Sequence, residues 1–202
     1  NWETNFFFFF LLFMHVPLST PGHQLYEYQL VIDPHEELRH KIEKSRLQLT
    51  EKYHIQQPQT GRPHISLVRF KAVKMMEEKI INRLQIIAMA EKPFVVELQD
   101  YGSYPMHAIF IKIANQPRVL QLIKNLKQAR QLMKAAGDDP HFLQDPQIAL
   151  AGRLPKEKYL ELMKEYLHKK FTGKFLADAM LLLRKAENEK KYQIVKRFSF
   201  EC

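Results

Sequence analysis

The five-residue phrase PHISL, residues 63–67, places an imidazole and a hydroxyl two positions apart, at His64 and Ser66. In an extended strand alternate side chains share a face, so this pair projects together, separated by roughly 7 Å along the chain. Side by side, the two can hold a phosphate. The hydroxyl donates to one oxygen while the imidazole donates to another, or exchanges a proton with it. Strict alternation sets His64, Ser66 and Val68 on one face and leaves Ile65, Leu67 and Phe70 largely on the other, toward a core. Arg62 and Arg69 flank the pair and can add positive charge. The phrase returns as PQIAL at residues 146–150, with Gln147 in place of His64 and Ala149 in place of Ser66. A lone His-x-Ser is weak evidence of a site; its recurrence gives it weight.

The elements that must carry the two phrases also repeat. The run LYEYQLVI (25–32) is rich in aromatic and β-branched residues and predicts a strand. Asp33 and Pro34 break it, with Asp33 placed to cap the amphipathic helix expected over 35–53, where Leu38, Ile42, Arg46 and Leu49 recur at helical spacing. After the turn QQPQTGRP come a short strand over 64–70, a helix over 71–90 and a strand over 93–101. The second half follows the same order: strand 107–113, helix 117–136, the turn-rich GDDPHFLQDP, strand 147–152, helix 155–171 opened by Pro155, and strands 179–185 and 191–200. This is an internal duplication. It predicts an α/β (α+β) fold of two pseudo-symmetric β-α-β-α-β lobes with antiparallel-rich sheets around a central cleft, one bilobal unit over 25–202 with lobe halves at about 25–103 and 104–202. A cleft between lobes is a common place for a ligand.

Bulk properties narrow the partner. The 202 residues suffice for one sizeable domain or two small lobes on a shared core, able to stand alone as a monomer. A net charge of +9 makes either a solvated basic surface or a site for an anion, with RNA or a phosphorylated small molecule first in line. The single cysteine, Cys202, allows no intrachain disulfide, which points to a reducing, cytoplasmic setting. No Cys/His cluster has zinc-ligand spacing, so no metal or other cofactor is expected. Residues 1–24 form an N-terminal extension containing FFFFFLLF, too short to span a membrane and lacking a basic flank. Met14 follows this run, and translation starting there is the expectation; export or anchoring is the alternative.

On the residues RPHISLVRF, the duplication and the proline-led second phrase, the sequence resembles the two-histidine (2H) phosphoesterases, the superfamily of bacterial 2'-5' RNA ligase-like proteins and RNA cyclic phosphodiesterases. The resemblance covers residues 26–200, and the ending LLLRKAENEKKYQIVKRFSF is similar to the family's last two strands. The family pattern is His-x-Thr/Ser twice. The resemblance implies metal-free chemistry on 2',3'-cyclic phosphates or 2'-5' linkages, in which one histidine acts as general base and the other as general acid. His64 and Ser66 match the first motif as catalytic residues. Gln147 and Ala149 stand at the second: Gln can donate a hydrogen bond but cannot exchange a proton near neutral pH, and loss of a general acid lowers rates by about 10²–10⁴-fold.

Other residues are candidate contacts. His107 and His141 could substitute for the missing imidazole, although loop histidines are usually just solvated. Tyr104 and Tyr101 could stack on a base, although tyrosines at strand ends are more often core. Lys112, Arg153 and Arg184 could contact phosphate. Three functions are open: a phosphoesterase acting on RNA or nucleotide esters, active or impaired; a non-catalytic nucleotide- or RNA-binding module on the same fold; and an enzyme of another class.

Overall fold

Nine strands and four helices are present in the computed structural model, which describes residues 23–55, 59, 61–105, 107–135, 137–152 and 154–201. The Met14 start and the FFFFFLLF run lie outside these residues. In chain order the elements are β1 (Leu25–Ile32), α1 (Glu36–Tyr53), β2 (Ile65–Val73), α2 (Glu77–Met89), β3 (Phe94–Tyr104), β4 (Ala108–Ile113), α3 (Gln116–Leu126), β5 (His141–Phe142), β6 (Gln147–Gly152), α4 (Lys156–Tyr166), β7 (Thr172–Ala177), β8 (Ala179–Ala186) and β9 (Gln193–Ser199). Two antiparallel sheets result, as the duplication predicts, one ordered β5-β2-β1-β8-β9 and the other β6-β4-β3-β7.

The two sheets do not fall on the two halves of the chain. Without the edge strand β5, the orders β2-β1-β8-β9 and β6-β4-β3-β7 correspond position by position. Each begins with a motif strand and is completed by strands drawn from both repeats. Thus β3, from the first repeat, pairs with β4 (Gly102 opposite Phe110), while β8, from the second, pairs with β1 (Tyr26 opposite Ala186). The expected halves 25–103 and 104–202 therefore do not coincide with the sheets, because β3 and β8 cross over. The helices cross too: α1 lies against β6 and β7 of the other sheet, and α3 against β2.

Four local readings change. Asp33 does not cap α1; its carboxylate accepts from Arg39 (3.4 Å) and Arg62 (2.9 Å), and His35 takes the cap position without a side-chain bond. The helix expected from 71 begins at Glu77, because Leu25 pairs with Val73 and holds the chain extended to that point. Helix α4 stops at Tyr166, and β7, unseen in the sequence, follows. Its Phe175 and Ala177 are buried at period two, while Gly173 lets Leu38 of α1 approach where a Cβ would stand 2.7 Å from its methyl carbon. Helix α3 ends at Leu126 in a tighter turn, ten residues short of expectation.

One contiguous apolar core runs through both sheets, from Leu30, Ile42, Ile65 and Leu84 to Ile111, Ile148, Leu162 and Phe198. Among the described residues no helix is long and apolar enough to cross a membrane. Because each sheet needs strands from both repeats, neither repeat can bury its own sheet edges. Expressed alone, residues 25–104 should give no cooperative unfolding transition by circular dichroism, whereas the intact chain should give one transition common to all probes.

Candidate functional site

The motif strands are bent in the same way. In β2, Val31 faces Ser66 and Leu30 faces Val68, so Leu67 is an extra residue in the ladder. In β6, Phe110 faces Ala149 and Ile109 faces Ala151, so Leu150 is the extra one. Both leucines are buried and both follow the motif directly. An inserted residue flips the alternation beyond it. Arg69, opposite Gln29, therefore shares the face of Ser66, and Val68 goes into the core with no exposed surface. This corrects the simple alternation, which placed Val68 beside Ser66. At the matching ladder position of the second copy stands Gly152.

The two motif strands meet across a cavity of about 350 Å³ lined by His64, Ser66, Arg69, Gln147 and Ala149, together with Gln29, Arg46, Gln59, Asp145, Lys190 and Tyr192 among others. Residues 64 and 147 thus face one space. Within it the imidazole is fixed at both nitrogens. His64 Nδ1 lies 2.8 Å from the carbonyl oxygen of Arg62, which can only accept, so Nδ1 carries the proton. In the neutral ring Nε2 is then an acceptor, and the Gln29 amide meets it at 3.1 Å. The same amide nitrogen donates to Ser66 Oγ at 2.6 Å, so one buried side chain, 3% exposed, ties both motif residues together. With Oγ accepting from Gln29, the hydroxyl proton of Ser66 is left to donate elsewhere.

Charge in the cavity is mainly positive. Arg46 projects from α1, donates from Nε (3.0 Å) and Nη2 (2.8 Å) to the carbonyl of Ala149, and from Nη1 (2.9 Å) to that of Gly61. Burial pushes its pKa down to about 10, which leaves it charged at neutral pH. Burial also lowers the pKa of His64, with the Arg46 and Arg69 guanidinium groups acting in the same direction; the Arg62 carbonyl and the Asp33 carboxylate act against them. The Asp145 carboxylate is engaged by the Tyr104 hydroxyl and by Gln116 at 3.0 Å. Tyr104 is pushed up to about 12 by burial and by that carboxylate, while the Gln147 amide acts to lower it. Gln147 Oε1 is buried and accepts no hydrogen bond among the described residues.

Other candidates fall elsewhere. Arg62 is held by Asp33 outside the cavity. His107 is exposed in the turn before β4, at the Gly152 end of the ladder and away from Gln147. His141 sits opposite Arg69 but lines a separate groove beside α3. Among the described residues no imidazole besides His64 lines the cavity, so neither expected substitute enters it. Lys112 is exposed opposite Gln147, on the same face but outside the lining. Tyr101 packs edge-on against Tyr166 and Phe171, and Arg184 is paired with Glu77 at 2.7 Å; both serve the fold. Arg153 lies outside the described residues. No cluster of potential metal ligands is present among the described residues. Gln29 and Arg46 escaped notice as site residues, although each left a trace: an amide inside an apolar strand, and a cation at a core position of α1.

Because folding lowers the pKa of His64, its ring should titrate below 6.5 by NMR, and inorganic phosphate should move the midpoint upward, so that anion binding takes up a proton and tightens as pH falls through that window. Replacing Arg46 with Leu strands the carbonyls of Ala149 and Gly61 and should destabilise the protein by about 1–3 kcal/mol per carbonyl in denaturant titrations.

A model of the 2'-5' RNA ligase superfamily matches residues 33–189. No curated protein sequence matches the chain. Among solved structures, Escherichia coli LigT complexed with 3'-AMP is similar at a TM-score of 0.66 and 16% identity, over 89% of this chain and 100% of that one. TT0787 of Thermus thermophilus is similar at 0.61 and 16%, over 87% and 98%. Usb1 of Kluyveromyces marxianus is similar at 0.51 and 12%, over 87% and 98%. At these identities the likeness shows the fold; the family match, spanning both motif strands, shows the kinship. The chain belongs to the 2'-5' RNA ligase superfamily of two-histidine phosphoesterases.

Proposed function

We propose that the cavity binds a phosphate ester of RNA or a nucleotide, a 2',3'-cyclic phosphate or a 2'-5' linkage, and turns it over weakly or not at all. The observation that carries this reading is the convergence of His64, Ser66, Arg69 and buried Arg46 on one space whose opposite wall holds Gln147 and Ala149. Hydroxyl, imidazole and two guanidinium groups suit the oxygens of a phosphodiester. LigT crystallised with 3'-AMP, and also with phosphate, ATP and NADP+, adds support for a nucleotide ligand.

The chemistry is one-handed. Opening a cyclic phosphate needs a base to take the proton of the attacking water and an acid to protonate the departing ribose oxygen. His64, neutral and protonated on Nδ1, has its Nε2 lone pair turned to the cavity side and can serve as the base once the Gln29 amide yields. Arg46 and Arg69 stabilise charge building on phosphorus, and Ser66 donates to a non-bridging oxygen. The leaving oxygen meets Gln147, which can orient but not protonate it, so its proton must come from water.

A binding-only role is favoured by one specific contact: the Gln29 N–H occupies the Nε2 that a base must use. Assays with a 2',3'-cyclic nucleotide separate the two. Weak hydrolysis lost in His64→Ala supports a residual enzyme, and no hydrolysis with retained, salt-sensitive binding supports the binding role. In either case Gln147→His combined with Ala149→Thr should raise the rate by about 100-fold or more. Efficient turnover unchanged by His64→Ala would sink both.

A further inference from the structure

Gln29 stands in the middle of β1, with Arg69 of β2 opposite it on one side and Leu183 of β8 on the other. Both ladders fix its backbone, so only its side-chain torsions are free to move the buried amide. The amide nitrogen carries two hydrogens and meets two groups of the motif, Ser66 Oγ at 2.6 Å and His64 Nε2 at 3.1 Å. While the ring is neutral, the amide fits in one orientation only. The Arg62 carbonyl keeps the proton on Nδ1, so an amide oxygen turned toward Nε2 would set two acceptors against each other. A charged ring reverses that preference. A proton on Nε2 would confront the amide N–H with no acceptor between them, and the amide must withdraw or present its oxygen. With the oxygen forward, Ser66 loses its donor and turns its own proton inward. The two motif groups are linked in this way: a neutral imidazole goes with a hydroxyl free to donate to an anion, and a charged imidazole capped by the amide oxygen goes with a hydroxyl already spent.

We infer that Gln29 is a positioning residue that ties proton uptake on His64 to anion binding. Its amide holds the imidazole neutral, and an anion that displaces it from Nε2 lets the ring take a proton from solvent while Ser66 keeps its contact with the amide. The inference rests on the cavity binding a phosphate ester. The longer of the two amide hydrogen bonds is the one that yields. The charged and titratable groups around the ring are Arg46 of α1, Arg69 of β2, Asp33 after β1, Asp145 before β6, and Lys190 and Tyr192 between β8 and β9. The guanidinium groups of Arg46 and Arg69 oppose the charged ring, and Asp33 favours it. An anion offsets those cations whatever residue stands at 29; the amide contact is the part of the coupling that a ligand must break.

NMR titration of the His64 ring in the full chain, with and without inorganic phosphate, tests this alongside Gln29→Met and Gln29→Glu. In the unaltered protein the nitrogen shifts should place the proton on Nδ1, and phosphate should raise the midpoint and protonate Nε2 as well. Gln29→Met, which cannot donate, should raise the phosphate-free midpoint and shrink the rise that phosphate induces. Gln29→Glu should raise the midpoint by about 1–3 pH units. It should also weaken phosphate by about tenfold or more, because its carboxylate takes the Ser66 proton and repels the anion. If circular dichroism shows the Met variant to be misfolded, Gln29→Asn, whose shorter side chain withdraws the amide, is read in its place with the same direction expected. An amide that serves packing alone would leave the midpoint and its response to phosphate unmoved in these variants, and that result overturns the inference. A neutral ring protonated on Nε2 in the unaltered protein overturns it too. Ring signals that neither phosphate nor 3'-AMP moves at any pH, with a midpoint that Gln29→Met still raises, overturn the cavity reading and leave Gln29 as the residue that keeps the ring neutral.

Discussion

One inserted residue in each motif strand organises the site. A regular strand would send the residue two positions past Ser66 toward the cleft, and that residue is Val68, an apolar side chain of no use to an anion. The insertion at Leu67 turns Val68 inward and Arg69 outward, so imidazole, hydroxyl and guanidinium share one face. The same insertion at Leu150 survives in the second repeat, where the three corresponding positions are Gln147, Ala149 and Gly152. The two motif strands share a backbone geometry and differ in the side chains that it presents. That separation has a physical basis. The bulged leucines are fully packed, so straightening the strand would expose or crowd them, whereas exchanging cleft-facing side chains leaves the core untouched.

Arg46 gives the cleft its electrostatic character. It is a cation held out of water with carbonyl oxygens as its hydrogen-bond partners, an arrangement that satisfies its N–H groups without neutralising its charge. Carbonyl dipoles lower the desolvation penalty, but the residual positive potential remains and is felt at His64, whose charged form it disfavours. A site that repels its own protonated histidine is one that gains when an anion arrives. The guanidinium also reaches from a helix of the first repeat to the motif strand of the second, so the charge that prepares the site is part of what holds its walls together.

The sequence made the family, the antiparallel α+β fold and most of the strand-helix order legible, because each depends on residue type and local periodicity. What it hid was non-local or sub-periodic. The crossing of β3 and β8 leaves no mark in either strand, since the alternation of β3 and the apolar run of β8 would suit a place in either sheet. The bulges appear only once a partner strand supplies the register. Gln29 resembles an outward-facing polar residue until β2 and β8 flank it on both sides, and Arg46 resembles an imperfection in an amphipathic stripe until Ala149 is placed against it. His141 shows the reverse: near in sequence to Gln147, it is paired with Arg69 in a two-residue edge strand that no pattern announced, and it stays outside the cavity lining.

The crossed strands also bear on how the chain reaches this state. Tyr26 must await Ala186, so the sheet carrying His64 stays unfinished at its centre until nearly the whole polypeptide is available. Contacts so distant along the chain are slow to form, and a chain still emerging from the ribosome would present the open flank of β1 to whatever other strand passes by.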